Sequence, residues 1–576
     1  MPRDSVTSRS RFWPPILAVL AATAASPFLH GYALGYQNHE IQLPYLLWLQ
    51  DPTLFPGDPM IEAMGSYFSF FWTAAAWISA RLPLAAVFLV GHLLTSLVRF
   101  AGVWYLGRVL FPGDRRAAYI GLWLVFWGRT GVGFEALNWI YFAHTPVAAA
   151  IGVWTIALAL GGKTRRAMLL AGLIFNLHAM QSAYLLLMIG VAALPELRKR
   201  WREHAQGALL FGLGAAPGLT WMLAAGALPS PPDLVALVRA YFPYHFFPSS
   251  FGANQWVAIG FLMTLFAAAW HFPPRGSLHA AGREPSAYAR ALWMCTGLFG
   301  FWLLGGVIME LRPNGFFLKL HAFRSSAILC TLLFPMVGGL LSRSWARRGA
   351  DLPGTVFATG LVLAGLLGSA GFLSPESAAT IVAAALTLLA LASVLVARGK
   401  MRQVAGALAL LSALFAIAPI VAARIARNAQ RARAEAPWVE VAHWARANSA
   451  RDARFLIPPY LAGFRWRSER PVVGECQDGS AVLWSRTYAD YWRTWYLAMG
   501  GAFDDEPISL WDRLARSWFR KDQQEIEELA RHYDADYIVL RIPRRREELR
   551  GWRIEWGEEP LFDNGVFTVY AVPASD

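Results

Sequence analysis

Residues 36–44 and 51–58 concentrate polar chemistry in the first part of the chain, with His39 directly before Glu40 and Asp58 closing the run. Ile41, Tyr45, Trp48 and Leu49 recur at helical spacing, which predicts a short amphipathic helix lying in a membrane interface. A carboxylate held there can take the proton of an attacking hydroxyl or help to hold a divalent cation, Mg2+ or Mn2+. Glu40 is the candidate for the catalytic role, with His39 and Asp58 as further acceptor or metal contacts. The plain alternative is a solvated loop without chemistry, because one acid beside one histidine is not a motif.

Two further polar groups interrupt apolar sequence: Glu135, Asn138 and His144, and then Asn176, His178 and Gln181. Ionisable side chains at membrane depth are costly and usually line a functional cavity, which makes Glu135 and His178 candidates for metal or acceptor contact. A lone interfacial histidine is more often a hydrogen-bonded packing group. Arg312, Lys319, His321 and Arg324 gather near the start of a later span, on the face where cations are least expected. A lipid-linked phosphate is a natural partner, since Arg engages phosphate bidentately; snorkelling to headgroups is the alternative. The aromatic run 241–248 reads as an interfacial belt.

The elements that must position these residues are membrane helices. The 576 residues are 56% hydrophobic and 16% charged, which is not a soluble composition. Apolar stretches of about 20 residues recur. The net charge of +14 comes mostly from short Arg clusters between them, as the positive-inside bias predicts, so nucleic acid is a poor partner. Cys295, Cys330 and Cys476 have no metal or disulfide spacing.

Residues 12–80 contain no Lys or Arg, which puts loop 37–80 outside and the N-terminus in the cytoplasm. The interval 167–194 must cross out and back yet is too short for two full spans, so two short helices meeting beside an outward cavity are expected. Later spans read as 205–225, 256–270, 291–309, 325–341, 354–373, 379–397 and 404–421, for about thirteen in all. The chain thus divides into a membrane domain 1–421, a linker 422–436 and an extracytoplasmic domain 437–576. In that last part 439–448 and 523–532 read as helices, and 454–457, 471–473, 537–540 and 567–572 as strands, a small α/β unit.

Taken together, these features resemble the GT-C class of polytopic membrane glycosyltransferases, in particular bacterial mannosyltransferase-like members. The resemblance rests on the early acid Glu40, the paired short spans, the basic loop 312–324 and the terminal segments 438–448, 454–459 and 533–540. It implies inverting transfer of a sugar from a polyprenyl-phosphate donor to an extracytoplasmic acceptor at the bacterial inner membrane. It also implies Glu40 as base or metal ligand, and Arg324 on the lipid phosphate. His39 stands where that class often carries a second acid. A lipid or polysaccharide transporter or scramblase, or a non-catalytic envelope scaffold, would use the same architecture without chemistry.

Overall fold

The computed structural model describes residues 13–128, 132–225, 230–273, 285–346, 400–504, 509–542 and 556–573. Its membrane part begins with α1 (Trp13–Leu29), after which the first loop folds into α2 (His39–Gln50), α3 (Pro59–Ala63) and α4 (Phe70–Ser79). Then come α5 (Leu84–Leu110), α6 (Arg115–Trp127), α7 (His144–Leu160), α8 (Thr164–Phe175), α9 (Ala179–Ala193) and α10 (Leu197–Ala224). Helices α11 (Leu234–Tyr241), α12 (Ala253–His271), α13 (Ala287–Leu311), α14 (Gly315–Leu320) and α15 (Ser326–Ala346) complete it. Five stretches among the described residues are long and apolar enough to cross a bilayer: Leu84–Leu110, Ala179–Ala224, Ala253–His271, Ala287–Leu311 and Gly315–Ser344. The chain is therefore a multi-pass helical membrane protein. The expected spans 354–373 and 379–397 lie outside the described residues.

Packing follows side-chain size. Gly121 of α6 faces Gly338 of α15 so closely that a Cβ on Gly338 would stand 2.6 Å from the Gly121 nitrogen. Small residues of this kind let membrane helices approach where lipid supplies no hydrophobic drive. At the end of the same pair Asp114 caps α6 through the Arg116 and Ala117 amides, and its other oxygen accepts from Ser342 Oγ at 2.8 Å.

The expected pair of short helices is α8 and α9, separated by Asn176, Leu177 and His178. Such a break exposes backbone groups that lipid cannot satisfy. Asn176 closes it, donating from Nδ2 to Gly214 O and accepting at Oδ1 from Gly218 N, both at 2.7 Å, so the break is pinned to α10. His178 Nδ1 caps α9 at the Gln181 amide.

Segment 422–436, expected as a linker, is helical: it lies within α16 (Lys400–Asn448), which runs on into the C-terminal part. At about 1.5 Å per residue that helix is on the order of 70 Å long. There β1 (Phe455–Leu456), α17 (Phe464–Ser468), α18 (Arg486–Ala498), α19 (Leu510–Trp518), α20 (Gln523–His532), β2 (Tyr537–Arg541), β3 (Phe562–Asp563) and β4 (Phe567–Ala571) form a small α/β unit. The sheet order is β1-β2-β4-β3, with β1 parallel to β2 and the other pairs antiparallel. The expected strand 471–473 contributes a single parallel bridge, Val472 to Phe455, and β3 was not foreseen.

Candidate functional site

Where the membrane helices meet the C-terminal unit there is a cavity of about 300 Å3. It adjoins a second of about 240 Å3. Tyr67, His144, His178, His321, Leu483 and Trp484 line both, so the two are lobes of one space. The upper lobe adds Asn38, Gln42, Tyr241, Tyr244, His245, Arg324 and, from the C-terminal unit, Gln477, Ser480 and Trp511. The lower lobe adds Phe68, Leu177, Met180, Met222 and Lys319 and is more apolar.

The cationic loop is held by its backbone. His321 ends α14 in the left-handed region, with φ at 44°, and Tyr184 OH donates to its carbonyl at 2.6 Å. Trp302 Nε1 donates to Ser325 Oγ at 2.7 Å and Ser326 Oγ to Val132 O at 2.9 Å, fixing the chain directly after Arg324. Gly133, also left-handed, lets the 132–135 turn lie against Phe323 and Arg324, where a Cβ would stand 2.7 Å from the Phe323 carbonyl carbon. That approach brings Glu135, 1% exposed, to Arg324 Nε at 2.9 Å. Burial pushes the Glu135 carboxyl up to about 7 although Arg324 pulls it down. Arg324 keeps 23% of its side chain exposed and lines the cavity.

The expected cationic set is thus split. Arg324 and His321 face the upper lobe and Lys319 the lower one, whereas Arg312 is exposed at the end of α13 and lines neither. Glu135 stands behind Arg324 as its counterion, and His178 is on the wall of both lobes. The run 241–248, expected as a belt, instead walls the upper lobe through Tyr241, Phe242, Tyr244 and His245. Aromatic clustering gave the signal, and the choice between belt and wall needed the tertiary structure.

The first-loop residues go elsewhere. His39 is fully buried, accepting at Nδ1 from Gly35 N and donating from Nε2 to Phe142 O at 2.8 Å, so both ring nitrogens are engaged within the protein. Burial lowers it to about 4, and neither nitrogen is left for a metal. Glu40 is not among the lining residues of either lobe. Asn38, Ile41 and Gln42, at i, i+3 and i+4, form the lining stripe of α2 and its N-cap, and Glu40 falls off that stripe. Burial and the charge of Glu475 push its carboxyl up to about 8, against Arg467 and Arg431 and with Glu435 also raising it.

Asp58 lies in a buried ionic latch that ties the first loop to the C-terminal unit. Its Oδ1 caps α3 at the Met60 amide, and its Oδ2 accepts from Val472 N at 3.1 Å and from Arg465 Nε at 2.7 Å. Arg465, 1% exposed, also forms a two-pronged pair with Asp478 at 3.0 and 2.8 Å. Glu475 accepts from the Gly463 and Arg465 amides, and burial raises it to about 7 despite Arg465.

These raised carboxyls set a pH dependence. Glu40 and Glu475 bind protons more tightly folded than unfolded, so their contribution to stability falls as pH rises from about 4.5 to about 8, whereas His39, lowered by burial, gives the opposite slope between about 4 and 6.5. Melting of the purified protein should therefore drop with increasing pH between about 7 and 8, where the histidine slope has ended, and then level, and Glu40→Gln should flatten that drop. A melting temperature that rises from pH 7 to 8 contradicts the placement of Glu40.

The cavity's ionisable donors are mostly imidazoles, and among the described residues no group of three or more His, Cys, Asp or Glu is disposed to hold a metal. Mg2+ and Mn2+ favour oxygen ligands, so the donor set does not fit either ion.

The chain aligns with the crystal structure of ArnT from Cupriavidus metallidurans bound to undecaprenyl phosphate, over 99% of each chain, at 13% identity and a TM-score of 0.55. It therefore has an ArnT-like membrane fold. A second solved structure, an oligosaccharyltransferase of Archaeoglobus fulgidus tethered with an acceptor peptide, aligns over 93% of this chain and 70% of that one, at 12% identity and a TM-score of 0.45. Residues 436–493 match the model of a domain of unknown function, DUF6798. Within the ArnT-like fold that segment supplies Arg465, Glu475 and Asp478 of the latch and Gln477, Ser480 and Trp484 of the cavity wall. No curated protein matches the chain.

Proposed function

We propose that the protein is a GT-C-type membrane glycosyltransferase that takes a sugar from a polyprenyl-phosphate donor and passes it, with inversion, to an acceptor on the extracytoplasmic face of the bacterial inner membrane. The observation that carries this reading is Arg324, held by Glu135 at its back and facing a two-lobed cavity at the outer membrane edge, with His321 and Lys319 beside it. The ArnT-like fold, seen elsewhere with undecaprenyl phosphate, supports it.

The lipid phosphate sits against Arg324, the tail leaves through the apolar lower lobe, and the sugar occupies the upper one. The acceptor oxygen attacks the anomeric carbon while the bond to the phosphate oxygen breaks, and that oxygen keeps the electron pair. Arg324 meets the growing negative charge, the type of stabilisation that contributes most in a partly dry site. The acceptor proton needs a base on the cavity wall. His144 is on that wall and bonds Tyr67 OH through Nε2 at 3.1 Å, which leaves Nδ1 for the proton. Glu40, off the wall, belongs to the neighbourhood of the latch.

Incubation of purified protein with labelled undecaprenyl-phosphate sugars and a mixture of envelope acceptors tests the reading directly. Loss of a general base typically costs on the order of 100-fold or more, so His144→Ala should fall that far while Glu40→Gln keeps most of its activity. The reverse ranking returns the base to the first-loop carboxylate. Movement of intact lipid across vesicles without sugar release would favour a transporter.

A further inference from the structure

Two of the buried polar atoms at the wall of the upper lobe that have no hydrogen-bond partner among the described residues are complementary. Gln42, 2% exposed, donates from Nε2 to Tyr67 OH at 2.9 Å and leaves its Oε1 as an unmatched acceptor. Trp484, whose ring lies 4.9 Å from that of the same Tyr67, leaves its indole Nε1 as an unmatched donor. Buried polar atoms left unpaired are costly, so their partner is expected to be a ligand group of matching chemistry. A hydroxyl both donates and accepts, and an aromatic wall suits the apolar face of a sugar ring.

The C-terminal unit presents its side of this lobe rigidly. Tyr241 OH donates to Gln477 O at 3.2 Å, Ser480 Oγ donates to the same carbonyl at 3.1 Å, and Asp478, next to Gln477, is clamped by Arg465. We infer that Gln42 and Trp484, one from each half of the molecule, bind the hydroxyls of the transferred sugar, so that the 477–484 turn of the C-terminal unit selects the sugar while Arg324 holds the phosphate. This rests on the proposed transfer from a lipid-phosphate donor and adds to it which residues read the sugar.

The test compares undecaprenyl phosphate with a panel of undecaprenyl-phosphate hexoses and pentoses, measuring binding of labelled lipid to the full-length protein in detergent. Trp484→Phe keeps an aromatic ring and removes the donor; Gln42→Leu removes the acceptor at similar volume. Each should weaken the preferred glycosylated lipid about tenfold, the worth of one lost buried hydrogen bond, and leave undecaprenyl phosphate within about twofold. Equal weakening of both lipids, or no weakening of either, overturns the assignment while the transferase reading stands. Wild-type protein that binds neither lipid sinks the transferase reading, and this one with it.

Discussion

Replacing Arg465 with alanine is expected to detach the C-terminal unit from the first loop. The guanidinium is the shared cation of Asp58 and Asp478, with Glu475 accepting the backbone amides beside it, and all four side chains are essentially excluded from solvent. Removing the cation leaves buried carboxylates facing one another, and breaking a buried pair from one side typically costs about 3–5 kcal/mol. Protease cleavage in the 463–485 region and a lowered melting temperature in detergent would report the loss. The pairing itself contributes less than that figure, because a buried ion pair has already lost hydration. Arg465→Met combined with Asp58→Asn, Glu475→Gln and Asp478→Asn should therefore recover much of the stability. If Arg465→Ala alone melts and resists protease like the wild type, the latch does not hold the two parts together.

The latch also shows what the sequence could and could not convey. Arg465 and Asp58 are 407 positions apart, and nothing near Arg465 separates it from the other 51 of the chain's 52 Lys and Arg. The helix at 39–50, the broken pair either side of 176–178 and the helix 523–532 were legible because each is written in local periodicity or a local polar interruption. So was the clustering of Lys319, His321 and Arg324 in one short segment, three residues that the structure brings to the cavity wall. What periodicity does not settle is which way one residue of an interfacial helix turns. Successive helical residues differ by about 100°, so Gln42, on the cavity wall, and Glu40, two positions earlier and beside the latch, point about 200° apart. Polar residues at 38 and 42 with apolar Ile41 between them were the available signal for the lining stripe.

Arg324→Ala should remove transfer almost entirely, yet the reason has to be separated from simple damage. The substitution deletes the cation that faces the cavity and also strands Glu135, 1% exposed, without its counterion. Either loss could silence the protein. Protonation limits the second one, since burial already pushes Glu135 up to about 7, so the stranded group takes up a proton near neutral pH rather than remaining charged. Arg324→Ala with Glu135→Gln should accordingly recover the melting temperature of the wild type and still bind undecaprenyl phosphate on the order of 100-fold more weakly, the loss expected when a charge-assisted, two-pronged phosphate contact is removed. Arg324→Lys should fall between, because an ammonium keeps the charge and loses the planar fork. Glu135→Gln alone should bind the lipid nearly as well as wild type, its amide oxygen still accepting from Arg324 Nε. If the double variant binds undecaprenyl phosphate normally, the phosphate is held elsewhere in the cavity. Lys319, on the wall of the lower lobe, is then the next position to substitute.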